Sequence, residues 1–220
     1  RLAYTVGYWE NDAHSAVDPY TAKSGLPSYA AQSGFASGYY DLIQQHAAHS
    51  LSLRTASKGD WDWEAVASRY RFEKDQQRFP LSASATDLNF GAAGRTAVLD
   101  GTSWGSLDLK AAWHAGGPAA AHTLSVGAHV DQYALKNPTF NTSAWRGGAF
   151  GAVASEGDGK TRTEAVWVQD AWRIVPAVRL AVGGRYERWH ARDGYNASGS
   201  TRVTQPAVNA SKFSPKASVA

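Results

Sequence analysis

The chain has 220 residues, and its 22 Lys and Arg against 19 Asp and Glu leave a net charge of only +3. That small, dispersed surplus excludes nucleic acid as a first expectation, because phosphate-backbone binding demands clustered cations. Cys is absent, which removes disulfide frameworks, thiolate metal sites and Cys nucleophiles. No run of about 18 consecutive apolar residues occurs, so no helix is expected to cross a membrane. A membrane β-barrel stays open, since its alternating strands average out to polar.

Taken in chain order, the apolar residues recur every second position rather than every third or fourth, which predicts strands. Eight long strands are expected, over 2–10, 37–56, 61–74, 103–114, 122–136, 161–173, 178–192 and 212–220. A ninth would arise if 37–56 breaks near Gln44-Gln45-His46. The alternation is clearest where Gly105, Leu107, Leu109, Ala111 and Trp113 interleave with Ser106, Asp108 and Lys110. It is equally clear where Leu124, Val126, Ala128 and Val130 interleave with Thr123, Ser125, His129 and Asp131. Val178, Leu180, Val182 and Tyr186 repeat the pattern against Arg179, Arg185 and Glu187.

The connections alternate in length. Short ones fall at Ser57-Lys58-Gly59-Asp60, Gly116-Gly117-Pro118 and Val175-Pro176-Ala177. Long ones, rich in Gly, Ser, Ala, Asn and Thr, cover 11–36, 77–102, 137–160 and 193–211. Short turns at one end and long loops at the other are the habit of outer-membrane barrels. Strands of about 11–15 residues are long enough to cross a bilayer, which takes roughly 9–11 tilted residues. Trp61, Trp63, Trp113 and Trp172 adjoin the short turns. Tyr70, Phe72, Tyr133 and Tyr186 lie about 8–12 residues further along, and the two sets are expected to form two aromatic girdles. Two segments break the pattern: the apolar parity switches after Ala67, and Asp170 shares parity with Val166 and Val168.

No chemistry-bearing motif stands out. His46 and His49 are three apart, hence on opposite faces of a strand, and no His–carboxylate spacing suits zinc or iron, so no metal or other cofactor is expected. Gly194-Tyr195-Asn196-Ala197-Ser198-Gly199 lacks the strand-to-helix setting of a nucleophile elbow, and no phosphate-binding glycine loop is present. The chain is therefore not expected to be an enzyme.

The run Thr163-Glu164-Ala165-Val166-Trp167-Val168-Gln169-Asp170-Ala171-Trp172-Arg173, a short turn, then Val178-Arg179-Leu180-Ala181-Val182-Gly183-Gly184-Arg185-Tyr186-Glu187 resembles the barrel of TonB-dependent outer-membrane receptors. Gln169-Asp170-x-Trp172 followed by Gly184-Arg185-Tyr186 carries most of the likeness. Lys212-Phe213-Ser214-Pro215-Lys216 resembles the start of a following strand in that family.

The resemblance implies an all-β, antiparallel transmembrane segment of a 22-strand barrel in a Gram-negative outer membrane, with short periplasmic turns and long extracellular loops. It implies a receptor importing a scarce nutrient, most often a ferric siderophore, with energy from TonB. Residues 1–220 would be an internal part of that barrel, without plug domain, TonB box or C-terminal strand. The expected partners are outer-membrane lipid, a ferric siderophore or similar ligand, and the TonB complex through the plug. Asn137-Pro138-Thr139-Phe140 lacks the fuller haem-receptor pattern. Arg54, Asp108, Lys110, His129, Asp131, Arg179, Arg185 and Glu187 are expected to face the lumen, mostly pairing with one another or with the plug. Loop residues Tyr39, Tyr40, Phe90, Trp145, Arg146 and Tyr195 are the candidates for ligand contact. A passive porin, an outer-membrane barrel enzyme and a soluble secreted β-protein such as a sandwich are the competing readings.

Overall fold

The structure, a computed structural model, describes every residue except 16–19, 22, 29–38, 56–58, 82–91, 115 and 118. Among the described residues the regular elements are all strands: β1 (Leu2–Ser15), β2 (Tyr20–Thr21), β3 (Pro27–Ser28), β4 (Tyr40–Arg54), β5 (Trp61–Pro80) and β6 (Gly94–Val98). They continue with β7 (Ser103–His114), β8 (His122–Thr142), β9 (Val153–Val175), β10 (Val178–Ser198), β11 (Thr201–Thr204) and β12 (Val208–Val219). Apart from the β2–β3 hairpin, all belong to one antiparallel sheet. Each long strand pairs with the next, in the order β1, β4, β5, β7, β8, β9, β10, β12. The short strands continue this meander: β6 fills the place above β7 between β5 and β8, and β11 lies above β12 on β10. Residues 99–102, with Gly101 at φ 84, make the step from β6 to β7.

Register sorts the side chains onto two faces, since neighbours opposite one another share a face. One row reads Leu2, Leu53, Ala65, Leu109, Ala128, Val166, Tyr186, Phe213 across all eight long strands. The rows beside it carry Tyr4, Leu51, Ala67, Leu107 and Val130 upward, and Trp63, Ala111, Val126 and Val168 downward. These large apolar residues are open to the surroundings: Leu2 is 68% exposed, Val166 59% and Phe213 64%. The sheet therefore presents its apolar face outward instead of closing it over a core. A patch spanning eight strands is far beyond what a protein surrounded by water leaves uncovered.

The expected eight-strand rhythm is present, but the strands outrun their expected limits. β8, β9 and β10 have 21, 23 and 21 residues. Much of what reads as loop is ladder: Asn137 opposes Gly157 and Pro138 opposes Glu156. Polar, Gly-rich sequence hides this, because a hydrogen-bonded hairpin standing in water needs no apolar face. The expected break near His46 is a bulge, where β5 inserts Glu73 opposite Gln45 and His46 while β4 runs on unbroken.

The parity switch after Ala67 has another cause. β5 keeps register with β4 and β7 from Trp61 or Glu64 to Arg71, so Arg69 and Arg71 remain on the apolar side and mark where its apolar band stops. Asp170 also sits on that side, beside the turn end, where it meets His122 Nδ1 at 2.8 Å. His122 in turn stacks on Trp172.

The aromatic girdles are half as expected. Trp61, Trp63, Trp113 and Trp172 do lie on the apolar face near the short turns, with Trp61 5.7 Å from Trp63 and 6.4 Å from Trp113. Of the second set only Tyr186 is there, opposite Phe213. Tyr70, Phe72 and Tyr133 are on the polar face, in register with Ala48, His46 and Trp104. Sequence spacing gives height along a strand; parity gives the side, and these three have the wrong parity for a girdle.

Candidate functional site

The polar face gathers the charged residues that alternation singles out. Asp108 opposes His129, Lys110 opposes Gly127, and Glu187 opposes both Ala165 and Lys212. Arg54, Asp131, Arg179 and Arg185 share that face by register. Most of them pair. Arg54 meets Glu64 at 2.7 Å, and Arg185 meets Glu187 at 2.7 Å. The His129 ring bridges Asp108 at 2.7 Å and Asp131 at 3.2 Å. Lys110 and Arg179 have no ion pair among the described residues. With a mixed, self-satisfied set of charges, this face is suited to bordering water or another polar surface. Among the described residues, no group of three or more His, Asp or Glu side chains is placed to hold a metal.

Higher on the same face runs a ladder of rings that the spacing argument did not assign to this side. Trp9 on β1 lies 5.0 Å from His46 on β4, which stacks on Phe72 of β5 at 3.9 Å. Tyr70 stacks on Trp104 of β7 at 4.3 Å, and Trp104 is 6.3 Å from Tyr133 of β8. The ladder thus crosses five strands. Within it His46 is 6% exposed and held on both ring nitrogens, by Tyr70 Oη at 2.9 Å and by Asp75 Oδ2 at 3.0 Å. Gln44 donates to the same Asp75 oxygen, and Asn11 donates to Gln44. Trp104 and Tyr133 remain 43% and 37% exposed, so the ladder offers open ring faces over a rigid polar footing. The signal for it was in the sequence: Trp104 shares parity with Ser106 and Asp108, and Tyr133 with His129 and Asp131.

The loop-end candidates are not brought together. Tyr40 opens β4 opposite Ser15 and continues the polar face above the bulge; Tyr39 beside it is 9% exposed. Phe90 lies outside the described residues. The β8–β9 connection folds over the opposite side. Trp145 is 3% exposed, its backbone N–H donates to Ala92 O, and a methyl group on Gly94 would overlap both Trp145 Cβ and Phe79 O. Arg146 stacks on Trp145 at 4.5 Å. In the same layer Arg78 donates to Gly148 O and lies over Phe150, which stacks on Phe140. Trp145 therefore pins the connection in place. Tyr195 is likewise committed: Arg202 covers its ring at 3.6 Å. A hydrogen bond to Glu156 is the first cause holding its phenol above the usual value, with burial second.

At the top of β1, His14 Nδ1 meets Asp41 Oδ1 at 2.8 Å. That hydrogen bond, then the Asp41 charge, raises the His14 pKa above 6.5; Arg146 is close enough to oppose it.

A wall of long antiparallel strands, apolar outside, charged on its other face, with tight turns at one end and tall hairpins at the other, is built as part of an outer-membrane-type β-barrel. Residues 1–220 match the family described as TonB dependent receptor-like, beta-barrel, and the chain belongs to that family. That family is one of transporters, and membership supports TonB-dependent transport at the outer membrane in general. No curated protein matches the chain.

Proposed function

We propose that this chain forms wall of a receptor that imports ferric siderophores, energised through TonB. The observation that supports this reading is the ring ladder Trp9, His46, Tyr70, Phe72, Trp104 and Tyr133 on the polar face, on the hairpin side of its charged residues. A ferric siderophore carries flat groups, which suit open aromatic faces. Tyr40 lies above the ladder on the same face, and we assign it to ligand contact with Trp104 and Tyr133. Trp145, Arg146 and Tyr195 serve that contact by shaping the hairpins, with Tyr39 at a neighbouring connection. Arg54, Asp108, Lys110, His129, Asp131, Arg179, Arg185 and Glu187 then line the lumen, where they border the plug. Capture at the loop end is followed by passage along the lumen once TonB has moved the plug.

The test is uptake of radioactive iron, supplied as a ferric catecholate or ferric hydroxamate, by cells that carry the full-length gene as their single receptor. Saturable uptake that stops when TonB is deleted is the expected result. Trp104→Ala weakens chelate binding roughly tenfold, the scale of a well-placed aromatic contact. Uptake that persists without TonB would make the wall a passive pore. TonB-dependent growth on another nutrient, with no chelate bound, would leave the transport role standing and remove the siderophore.

A further inference from the structure

The ring ladder holds a hydrogen-bonded relay that stacking against a ligand does not require. Tyr70 Oη lies 2.9 Å from His46 Nδ1, and His46 Nε2 lies 3.0 Å from Asp75 Oδ2. The surrounding donors fix where the protons lie. Gln44 Nε2 donates to the same Asp75 oxygen at 3.0 Å, and Asn11 Nδ2 donates to Gln44 Oε1 at 3.2 Å. That oxygen accepts twice, so the His46 Nε2–H donates to it. Nδ1 keeps its lone pair, and the Tyr70 O–H donates into it. The Asp75 backbone is pinned in turn, its N–H donating to Asp100 Oδ1 at 2.7 Å. The His46 and Asp75 side chains are 7% and 8% exposed, which keeps water from competing for either bond.

Oxidisable rings lead to that phenol. Tyr70 stacks on Trp104 at 4.3 Å and 8° from parallel, and Trp104 is 6.3 Å from Tyr133. With neither Cys nor Met in the chain, indoles and phenols are its readiest one-electron donors, and rings in contact pass an electron between them. A phenol that loses an electron becomes a very strong acid, so its oxidation needs a base already in place. His46 is such a base, and Asp75 holds it in the accepting tautomer. Tyr4 makes a similar bond to His49 at 2.7 Å. That pair stands on the outward face, where Tyr4 is 63% exposed and no ion pair backs His49 among the described residues.

We propose that the ladder is a one-electron relay that carries oxidising equivalents from the exposed Trp104 to Tyr70, with His46 as the proton acceptor. A one-electron oxidant of the peroxyl- or carbonate-radical class takes an electron from Trp104 and leaves an indole radical cation. Tyr70 then gives one electron to Trp104 and its phenolic proton, from Oη, to His46 Nδ1. The products are an intact Trp104, a neutral phenoxyl on Tyr70 and a His46 imidazolium facing the Asp75 carboxylate. A thiolate or ascorbate donor returns one electron to Tyr70, the proton goes back from Nδ1 to Oη, and the relay is reset. The stack supplies the path for the electron and the 2.9 Å bond the path for the proton. Trp104 is thereby spared lasting oxidation. The activity goes beyond transport and does not depend on which nutrient the receptor carries.

The experiment takes the full-length protein in detergent, without ligand, and oxidises its exposed indoles with azide radicals generated by pulse radiolysis. The indolyl band decays as a phenoxyl band grows, at a rate independent of protein concentration. Tyr70→Phe, which keeps the ring on Trp104, removes most of that growth. His46→Gln still accepts from Tyr70 and donates to Asp75 but is no base, and it slows the transfer roughly a hundredfold, the low end of what a positioned base contributes. A histidine with a merely structural role would leave the rate at the parent value. Heat-modifiable gel mobility reports that each variant folds, and one measurement needs no variant. In the parent, the freeze-quenched phenoxyl shows by high-field EPR a hydrogen bond whose proton exchanges in deuterium oxide. Unchanged phenoxyl growth in Tyr70→Phe, a parental rate in His46→Gln, or a parent radical without that hydrogen bond overturns the relay. Growth that scales with protein concentration does so as well, because the electron would then pass between molecules. Failure to bind a ferric chelate would remove the siderophore reading and leave all of these outcomes as they are.

Discussion

His14 and Asp41 make an exposed contact in which the carboxylate is the main influence on the charge state of the ring. The hydrogen bond at 2.8 Å favours the protonated ring, so His14 should titrate above 6.5 in a pH series followed by NMR of the histidine ring. Asp41→Asn brings it back toward 6.5. A raised histidine pKa stabilises the fold most fully below 6.5, and that contribution is lost as pH rises through the raised value. The tie between the tops of β1 and β4 should therefore loosen as pH rises through that raised value. Arg54 and Glu64, at 2.7 Å but 63% and 34% exposed, should show a coupling of only about 0–1 kcal/mol in a double-mutant cycle, because water screens them. At this scale the sequence disclosed which residues carry charge and, through parity, which side they take. It did not disclose that Trp145 is covered while Trp104 is open, since that depends on what folds over each ring.

Elements carry the second set of consequences. Gly127 on β8 faces Trp167 of β9 across the ladder, and a Cβ there would overlap the indole. Gly127→Val should lower stability by about 1–3 kcal/mol, read from urea denaturation in detergent, because the ring cannot yield without leaving its place on the polar face. At the β8–β9 connection, Gly94→Ala pushes against Trp145 and the Phe79 carbonyl. Trypsin should then cut after Arg146 faster than in the parent protein, with the rest of the sheet intact. The existence of the eight long strands was legible from alternation alone, whereas β2, β3, β6 and β11 fall in stretches read as loops. Strand length was not legible, because above the band both faces are polar and period two disappears while the ladder of hydrogen bonds continues. The bulge at Glu73 was visible only as a disturbance of pattern; pairing with β4 located it.

For the whole molecule, the outward band sets the solvent. Ala128→Arg, in the middle of the apolar row, should cost about 2–4 kcal/mol of folding stability in lipid vesicles, monitored by tryptophan fluorescence. The same substitution at Gln132, at the hairpin edge of the band, should cost about 0–1 kcal/mol, as expected near an interface. The 220-residue chain itself should acquire a β-type circular dichroism spectrum only with detergent or liposomes and precipitate without them. A soluble chain that melts cooperatively in plain buffer would contradict the outward apolar face.

By itself the sequence determined the class of structure: period two over eight segments, with tight and long connections alternating, admits little but an antiparallel wall, and the run from Thr163 to Glu187 pointed to its family. These are local properties, written in neighbouring residues. What only the tertiary structure decided was which residues meet. The ring ladder joins five strands, and Trp145 finds its place against Gly94. Such contacts depend on strand register, which hydrogen bonding between distant segments sets, and a single inserted residue such as Glu73 reassigns every side chain beyond it.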